Sequence, residues 1–320
     1  MSLAHFVARI ISITLAVSAA NMVYGQIFPT RPVRVIAPLP GGTGDFAMRL
    51  VSQEISGPLG QPVIVENRPS SLTGETAMKA QPDGYTLLIE GSSFWITPLM
   101  QKTPYDVELD FSPITQMLMA PNILVVHPSI TAGSLKELIA LAKAKPGQLN
   151  YGSSGTGSSQ HLGAEMLKSM TGINMVHIPY KGIGPAVTGL IAGEVQVISS
   201  SAASVAPHIK SGKLRALAVT GARPSALFPG LPTVESAAGL PGYDVTTRTG
   251  LFAAGKPPRM VINRLNQEIV RALNKPEVRE KFLNQGVETV GNSPEEFAAT
   301  IKSEIVRMRK VINDAGIRLD

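Results

Sequence analysis

Two glycine-rich turns, each set between an apolar strand and the start of an amphipathic helix, constrain this chain more than any other feature. The first is Pro40-Gly41-Gly42-Thr43-Gly44-Asp45. It follows Val33-Arg34-Val35-Ile36-Ala37 and precedes Phe46, Leu50, Val51 and Ile55 at helical spacing. The second is Ser153-Ser154-Gly155-Thr156-Gly157-Ser158-Ser159, between Asn150-Tyr151-Gly152 and a helix carrying Leu162, Met166 and Met170 on one face. Further strands are predicted at 62–66, 85–89, 122–126, 176–178, 195–198 and 214–219, and helices at 75–80, 135–144 and 184–192. Strands alternating with helices predict an α/β fold with a parallel sheet and helices on both faces. The chain has 320 residues, 44% hydrophobic and 16% charged, which is globular and about right for two lobes.

The C-terminal part reads as helical. Val261, Leu265, Ile269 and Leu273 share one face. Ser293-Pro294-Glu295-Glu296 is a helix start with Ser at the N-cap, Pro next and Glu at the third position. Phe297, Ile301, Ile305, Met308 and Ile312 then line one side, and Gly316 ends the helix. Ser134 and Glu137 form a similar capping pair ahead of 135–144.

At the N-terminus Arg9 precedes an apolar run over 10–20, followed by small residues and a plausible cleavage position at Gly25. Residues 1–25 are therefore read as a cleaved secretory signal peptide, the run being well short of the ~20 residues that span a bilayer.

Several classes of chemistry are excluded. There are no cysteines, hence no disulfide, thiol nucleophile or thiolate metal site. The five histidines, at 5, 127, 161, 177 and 208, form no metal-binding pair, so no metal and no cofactor is expected. No G-x-S-x-G nucleophile elbow occurs. The net charge of +6 is not concentrated as in a nucleic-acid footprint.

The two turns carry the positive reading. Backbone N–H groups at a helix N-terminus lack intrahelical acceptors and sit at the positive end of the helix dipole, which makes an anion site. One such turn is as well explained by tight chain reversal alone; two, one per lobe, point to one anionic ligand shared between them. A rival reading takes Gly42-x-Gly44-x-x-Ala47 with Glu66 as a dinucleotide-binding unit. Asp45, where a pyrophosphate would approach, and the export signal both count against it. His161 either orients the second turn or is a plain polar cap. Arg248 is either a bidentate carboxylate clamp or a solvated loop residue. Glu90, at the end of a strand, is either exposed or faces the cleft.

Together these segments resemble the Bug/TctC family, the periplasmic substrate-binding proteins of tripartite tricarboxylate transporters. The resemblance runs from Phe28-Pro29-Thr30-Arg31-Pro32 nearly to the C-terminus. Its marks include Pro40 to Asp45, Val65-Glu66-Asn67-Arg68-Pro69, Pro82-Asp83-Gly84-Tyr85-Thr86, Tyr151 through His161, and His177-Ile178-Pro179-Tyr180-Lys181-Gly182. It implies a type II periplasmic-binding-protein fold: two Rossmann-like lobes joined by crossover hinge strands, with residues 26–122 and 240–320 in lobe 1 and 123–239 in lobe 2. It implies a non-enzymatic binding protein that closes on a small carboxylate, such as a dicarboxylate or hydroxylated acid. Delivery would be to a membrane transporter, with a sensory receptor as the alternative partner, and the protein would act as a monomer. The ligand-binding residues it implies are Pro40, Gly41, Gly42, Thr43 and Asp45, Ser92, then Ser153, Ser154, Gly155, Thr156, Ser158 and His161. Three positions depart from the family pattern. Ser200 stands where many members have Asp, and Arg248 and Thr249 where many have an aromatic pair. Residues 70–74 read as a shortened loop. These exchanges are expected to make the far end of the cleft accept a more polar or more negative ligand.

Overall fold

The computed structural model describes residues 28–319, so the expected signal segment lies outside the described residues. In chain order come β1 (Val33–Ala37), α1 (Thr43–Leu59), β2 (Val63–Asn67), α2 (Ser70–Met78) and β3 (Thr86–Gly91). Then follow two short helices, α3 (Ser93–Ile96) and α4 (Val107–Asp110), and the long strand β4 (Phe111–Val126). The next stretch holds α5 (Leu135–Ala144), β5 (Asn150–Ser153), α6 (Ser159–Thr171), β6 (Val176–Pro179), α7 (Ile183–Ala192), β7 (Val197–Ser201), α8 (Ala202–Lys210) and β8 (Arg215–Val219). The chain ends with α9 (Val234–Ala238), β9 (Thr246–Ala254), α10 (Arg259–Leu273), α11 (Pro276–Asn284), β10 (Glu288–Thr289) and α12 (Pro294–Asp314).

The strands join in the order β2-β1-β3-β9-β4-β7-β5-β6, with β8 and β10 also paired to β4. β1, β2 and β3 are mutually parallel, as are β5, β6 and β7. The wholly parallel sheet expected from strand–helix alternation is corrected at its centre, where β9 and β4 run antiparallel to their neighbours. Of the two, β4 runs on from the β9 side of the sheet to the β7 side. β4 pairs with β9 from Phe111 to Pro121, then with β7 and β8 from Asn122 onward.

Side chains alternate across each strand, so apolar cores form on both sheet faces. In lobe 1, Val33, Val35, Leu87 and Ile89 pack against Met48 and Val51 of α1 and Leu265 and Ile269 of α10. Ile36, Leu88 and Phe252 face the other way, onto Trp95, Phe297 and Ile301. That second core continues into lobe 2 through Tyr151, Leu162 and Met166. Ile123, Val125 and Ile198 close the remaining face with Ala186, Leu190 and Val205. Each buried aliphatic side chain of this kind is worth about 1.5–3 kcal/mol.

Two sequence readings are corrected here. The stretch 70–74 is the start of α2, not a loop. Gly74 lies inside that helix because the Tyr105 and Phe94 rings come within 2.8–2.9 Å of where a Cβ would stand. β4 begins eleven residues before the predicted 122, at Phe111. Pro113 and Pro121 hid it, since proline cannot donate to a ladder; register shifts between Pro113 and Thr115 and between Gln116 and Leu118 accommodate the interruption. The Ser293–Glu296 capping box is complete. Ser134 caps α5, but the Glu137 carboxylate reaches Gly133 N–H, one residue earlier than a capping box requires.

Gly250 on β9 sits beneath Phe297 of α12, where a Cβ would fall 2.0 Å from the ring. Gly250→Ala is expected to lower unfolding free energy by about 1–3 kcal/mol through overpacking. The denaturant midpoint measures it.

Candidate functional site

The second glycine-rich turn is built on a stack of three rings. Tyr151 and Ser153 belong to β5, His177 to the neighbouring strand β6, and His161 to the first turn of α6. The His177 ring lies 4.9 Å from Tyr151 and 4.0 Å from His161, nearly parallel to both. Ser153 Oγ pairs with His177 Nε2 at 2.7 Å. Gly157 N–H donates to His161 Nδ1 at 3.1 Å, so His161 orients the turn as a neutral acceptor. Burial, with His177 close by, pushes the His161 pKa down to about 4. Gly155 and Gly157 take positive φ angles of 128° and 78°, which lets the backbone fold over the rings. Ser158 caps α6, accepting from His161 N–H and donating to Gly155 carbonyl oxygen. The N–H groups of Ser159 and Gln160 are left without intrahelical acceptors by helix geometry.

The first turn is differently used. Asp45 is 5% exposed, and its carboxylate accepts from Gly41 N–H, Asn67 Nδ2 and Arg49 Nε. Burial alone would raise its pKa, but the bonds from Asn67, Gly41 and Arg49 hold it below the ordinary carboxylate range. Asp45 thus braces its own turn. Pro40, Gly41, Gly42 and Thr43 stand exposed beside it. Glu66, the acidic residue of the dinucleotide reading, is tied to Arg34 and Arg68.

A cavity of about 200 Å³ opens at the N-terminus of α6. Gly157, Ser158 and Ser159 form one wall, and Ser92 and Ser93 after β3 face it from lobe 1. Ile96, Met100, Leu162 and Met308 make the apolar sides; Thr246, Thr247 and Glu304 complete it. Of the expected residues, Ser92 and Ser158 border this space. Ser153 and His161 lie buried beneath the turn, and Ser154 Oγ bonds to Gln160. Gly155 and Thr156 sit on the turn, and residues 40–45 do not reach the cavity. Ser200 is fully buried beside Ile123, its hydroxyl unpartnered. Thr249 is buried in β9 opposite Gly91.

Arg248 is neither a clamp on this cavity nor a solvated loop residue. It is 8% exposed and locked by charge. Its guanidinium pairs with Asp244, donates to Thr246 carbonyl oxygen at 3.1 Å and lies 3.3 Å from Glu304. Arg307 joins the cluster 3.5 Å from Asp244. The expectation that Arg248 adds free positive charge to the cleft is corrected accordingly. Glu90 is neither exposed nor turned to the cleft. It is buried under α2, accepting from Thr73 Oγ1 at 2.5 Å, and burial raises its pKa despite that bond.

Glu304 is the residue that sequence reading missed. It is 4% exposed, Trp95 Nε1 donates to it at 3.1 Å, and burial raises its pKa more than Arg248 and Trp95 lower it. The signal was present: 297, 301, 304 and 308 fall on one helical stripe, and three of the four are apolar.

Comparison with known proteins places this geometry. The family model described as "Tripartite tricarboxylate transporter family receptor" matches residues 47–317. The chain belongs to this receptor family. Protein BugT of Bordetella pertussis is 35% identical over 311 residues, covering 94% of this chain and 94% of BugT. An uncharacterised-family protein encoded between tcbD and tcbE in Pseudomonas sp. strain P51 is 34% identical, covering 94% and 91%. Among solved structures, R. palustris Rpa4515 with adipate superposes with TM-score 0.71 at 32% identity, covering 91% of this chain and 99% of that one. MatC from Rhodopseudomonas palustris with bound malate gives 0.67 at 28% identity, covering 89% and 100%. A ligand-free TctC solute-binding protein from Polaromonas gives 0.81 at 27% identity, covering 90% and 99%. These receptors share the periplasmic-binding-protein fold. The family is one of binding receptors, which removes the dinucleotide-enzyme alternative. Among the described residues, no helix is long and apolar enough to cross a membrane.

Two outcomes follow for this receptor. Arg248→Ala leaves two buried carboxylates, Asp244 and Glu304, with one cation, Arg307, and is expected to cost about 3–5 kcal/mol of unfolding free energy. His161 is held neutral when folded, with its pKa depressed from 6.5 to about 4. The unfolded chain therefore takes up that proton first, and this contribution to stability is full above pH 6.5 and lost as pH falls towards about 4. In His161→Asn that part of the decline in the denaturant midpoint should disappear.

Proposed function

We propose that this receptor captures a small organic carboxylate in the cavity between Ser92 and Ser158 and delivers it to a membrane transporter. One observation carries the reading. The first turn of a 13-residue helix, with its N–H groups and the Ser158 cap, opens onto a small cavity whose facing wall comes from the other lobe. Charge-assisted bonds from such donors are worth roughly 1.5–3 kcal/mol each. A few of them, less the cost of ordering, reach the roughly −8 kcal/mol of micromolar binding. The relatives named for bound adipate and malate support a carboxylate, and the transporter description of the family favours delivery over sensing.

Closure of the lobes brings the Pro40–Thr43 turn onto the ligand. In support, the ligand-free Polaromonas receptor overlays this chain with a higher TM-score, 0.81, than the adipate- and malate-bound relatives at 0.71 and 0.67, although it is less similar in sequence than the adipate-bound one. Two crossings serve as the hinge. The first lies at Pro121–Asn122, where β4 changes partners. The return lies a little past residue 239, since Tyr243 still donates to Gly163 carbonyl oxygen in lobe 2. Both walls belong to one chain, which suits a monomer. The apolar run over 10–20 supports export to the periplasm with removal of residues 1–25.

Leu162→Trp fills the cavity from α6. It is expected to weaken adipate or malate binding by more than about tenfold in calorimetry, with the folded circular-dichroism spectrum retained. Unchanged affinity for a ligand that binds the parent protein would place the site elsewhere.

A further inference from the structure

The polar groups that line the cavity differ in the charge they favour. At the N-terminus of α6, peptide N–H groups and a helix dipole favour an anion. Glu304, a buried acidic side chain, also borders the cavity. Ile96, Met100, Leu162 and Met308 supply its apolar lining.

The charges around Glu304 balance without a ligand. Arg248 of β9, Arg307 of α12 and Asp244 just before β9 are the charged groups around it, and Trp95 of α3 donates to it. Two cations thus meet two anions, Asp244 and Glu304 itself. No positive charge remains over for a second anion from a ligand. Glu304 does retain acceptor capacity. A carboxylate offers about four lone-pair positions, and here Oε1 faces Arg248 at 3.3 Å and Oε2 accepts from Trp95 at 3.1 Å.

We propose that Glu304 sets the specificity of the pocket by requiring a hydrogen-bond donor at the ligand's far end: a hydroxyl group, an ammonium group, or a second carboxyl group that enters with a proton. The inference rests on the carboxylate reading above and deepens it. An ionised second carboxylate would meet Glu304 in a poorly solvated space, where two carboxylates hold one proton between them. That proton comes from solvent and sits between two oxygen atoms; no bond to carbon is made or broken. Hydroxy acids and amino acids need no added proton. Arg248, held by Asp244 and Thr246 carbonyl oxygen, keeps Glu304 in place and does not reach for the ligand.

The test is isothermal titration of the mature protein in two buffers of different ionisation enthalpy. The probes are butanoate, 4-hydroxybutanoate, 4-aminobutanoate and succinate, with the matching hexanoate series ending in adipate. Within the series that binds, the hydroxy or amino acid should bind about tenfold tighter than the unsubstituted acid, the step one charge-assisted hydrogen bond supplies. It should bind without proton uptake, while the dicarboxylate takes up close to one proton. E304Q removes the charge at constant shape. It should abolish that uptake and improve the dicarboxylate by about tenfold relative to the hydroxy acid, by the same measure. Trp95, the chain's single tryptophan, donates to the same carboxylate, so its emission should shift with the donor-bearing probes. Dicarboxylate binding without proton uptake in the parent protein, or an unchanged ranking in E304Q, overturns the role of Glu304 and leaves carboxylate binding standing. Failure of every probe to bind overturns carboxylate binding itself. Should E304Q fail to fold, the proton count of the parent protein decides alone.

Discussion

The pairing of β4 with strands of both lobes is the constraint on which the rest of the molecule depends. One strand of 16 residues serves β9 in its first part and β7 and β8 in its second. At the changeover, Thr220 N–H donates to Asn122 carbonyl oxygen at 2.9 Å, Asn122 N–H returns to Thr220 Oγ1 at 3.0 Å, and Val245 N–H donates to Thr220 carbonyl oxygen at 2.8 Å. The two crossing segments are thereby stitched at one level. Rotation about that level needs only a few backbone dihedrals to change, the usual device of hinge closure. Because β3, β5 and their following turns are held on either side of it, the walls carrying Ser92 and Ser158 face each other.

Electrostatics then divides the labour between the turns. The first turn satisfies its amide with its own Asp45; the second rests on a neutral imidazole, which braces Gly157 without adding a charge beside the helix N-terminus. A cationic histidine would lose its acceptor nitrogen and release the turn. Where Glu304 borders the cavity, the ion cluster of Asp244, Arg248, Glu304 and Arg307 ties β9 to α12. Such a buried cluster contributes little net stability when intact and is costly to break. Its value here is positional: it fixes where Glu304 borders the cavity.

Much of this was legible in the chain. Both glycine-rich turns, the strands beside them and the capped C-terminal helix follow from local chemistry: φ freedom at glycine, Ser at an N-cap, apolar residues at fixed spacing. What escaped depends on contacts distant in sequence. Whether Arg248 meets solvent, ligand or a carboxylate is decided by Asp244 and Glu304, the latter 56 positions away. Whether Asp45 faces a ligand or its own turn is decided by Asn67. The Thr246-Thr247-Arg248-Thr249 stretch concealed a central strand because Thr246, Arg248 and Thr249 are buried although polar. Glu304 was readable as a carboxylate within an apolar stripe, but only its neighbours show that it borders a cavity.

A crystal structure of the mature protein soaked with a small carboxylate tests the central claim most directly. The expected density places a carboxylate within hydrogen-bond reach of the Ser159 and Gln160 N–H groups and the Ser158 hydroxyl, with the Pro40–Thr43 turn drawn in over it. Ligand density outside the space between Ser92 and Ser158, or ligand there with its carboxylate turned away from the α6 terminus, would contradict it.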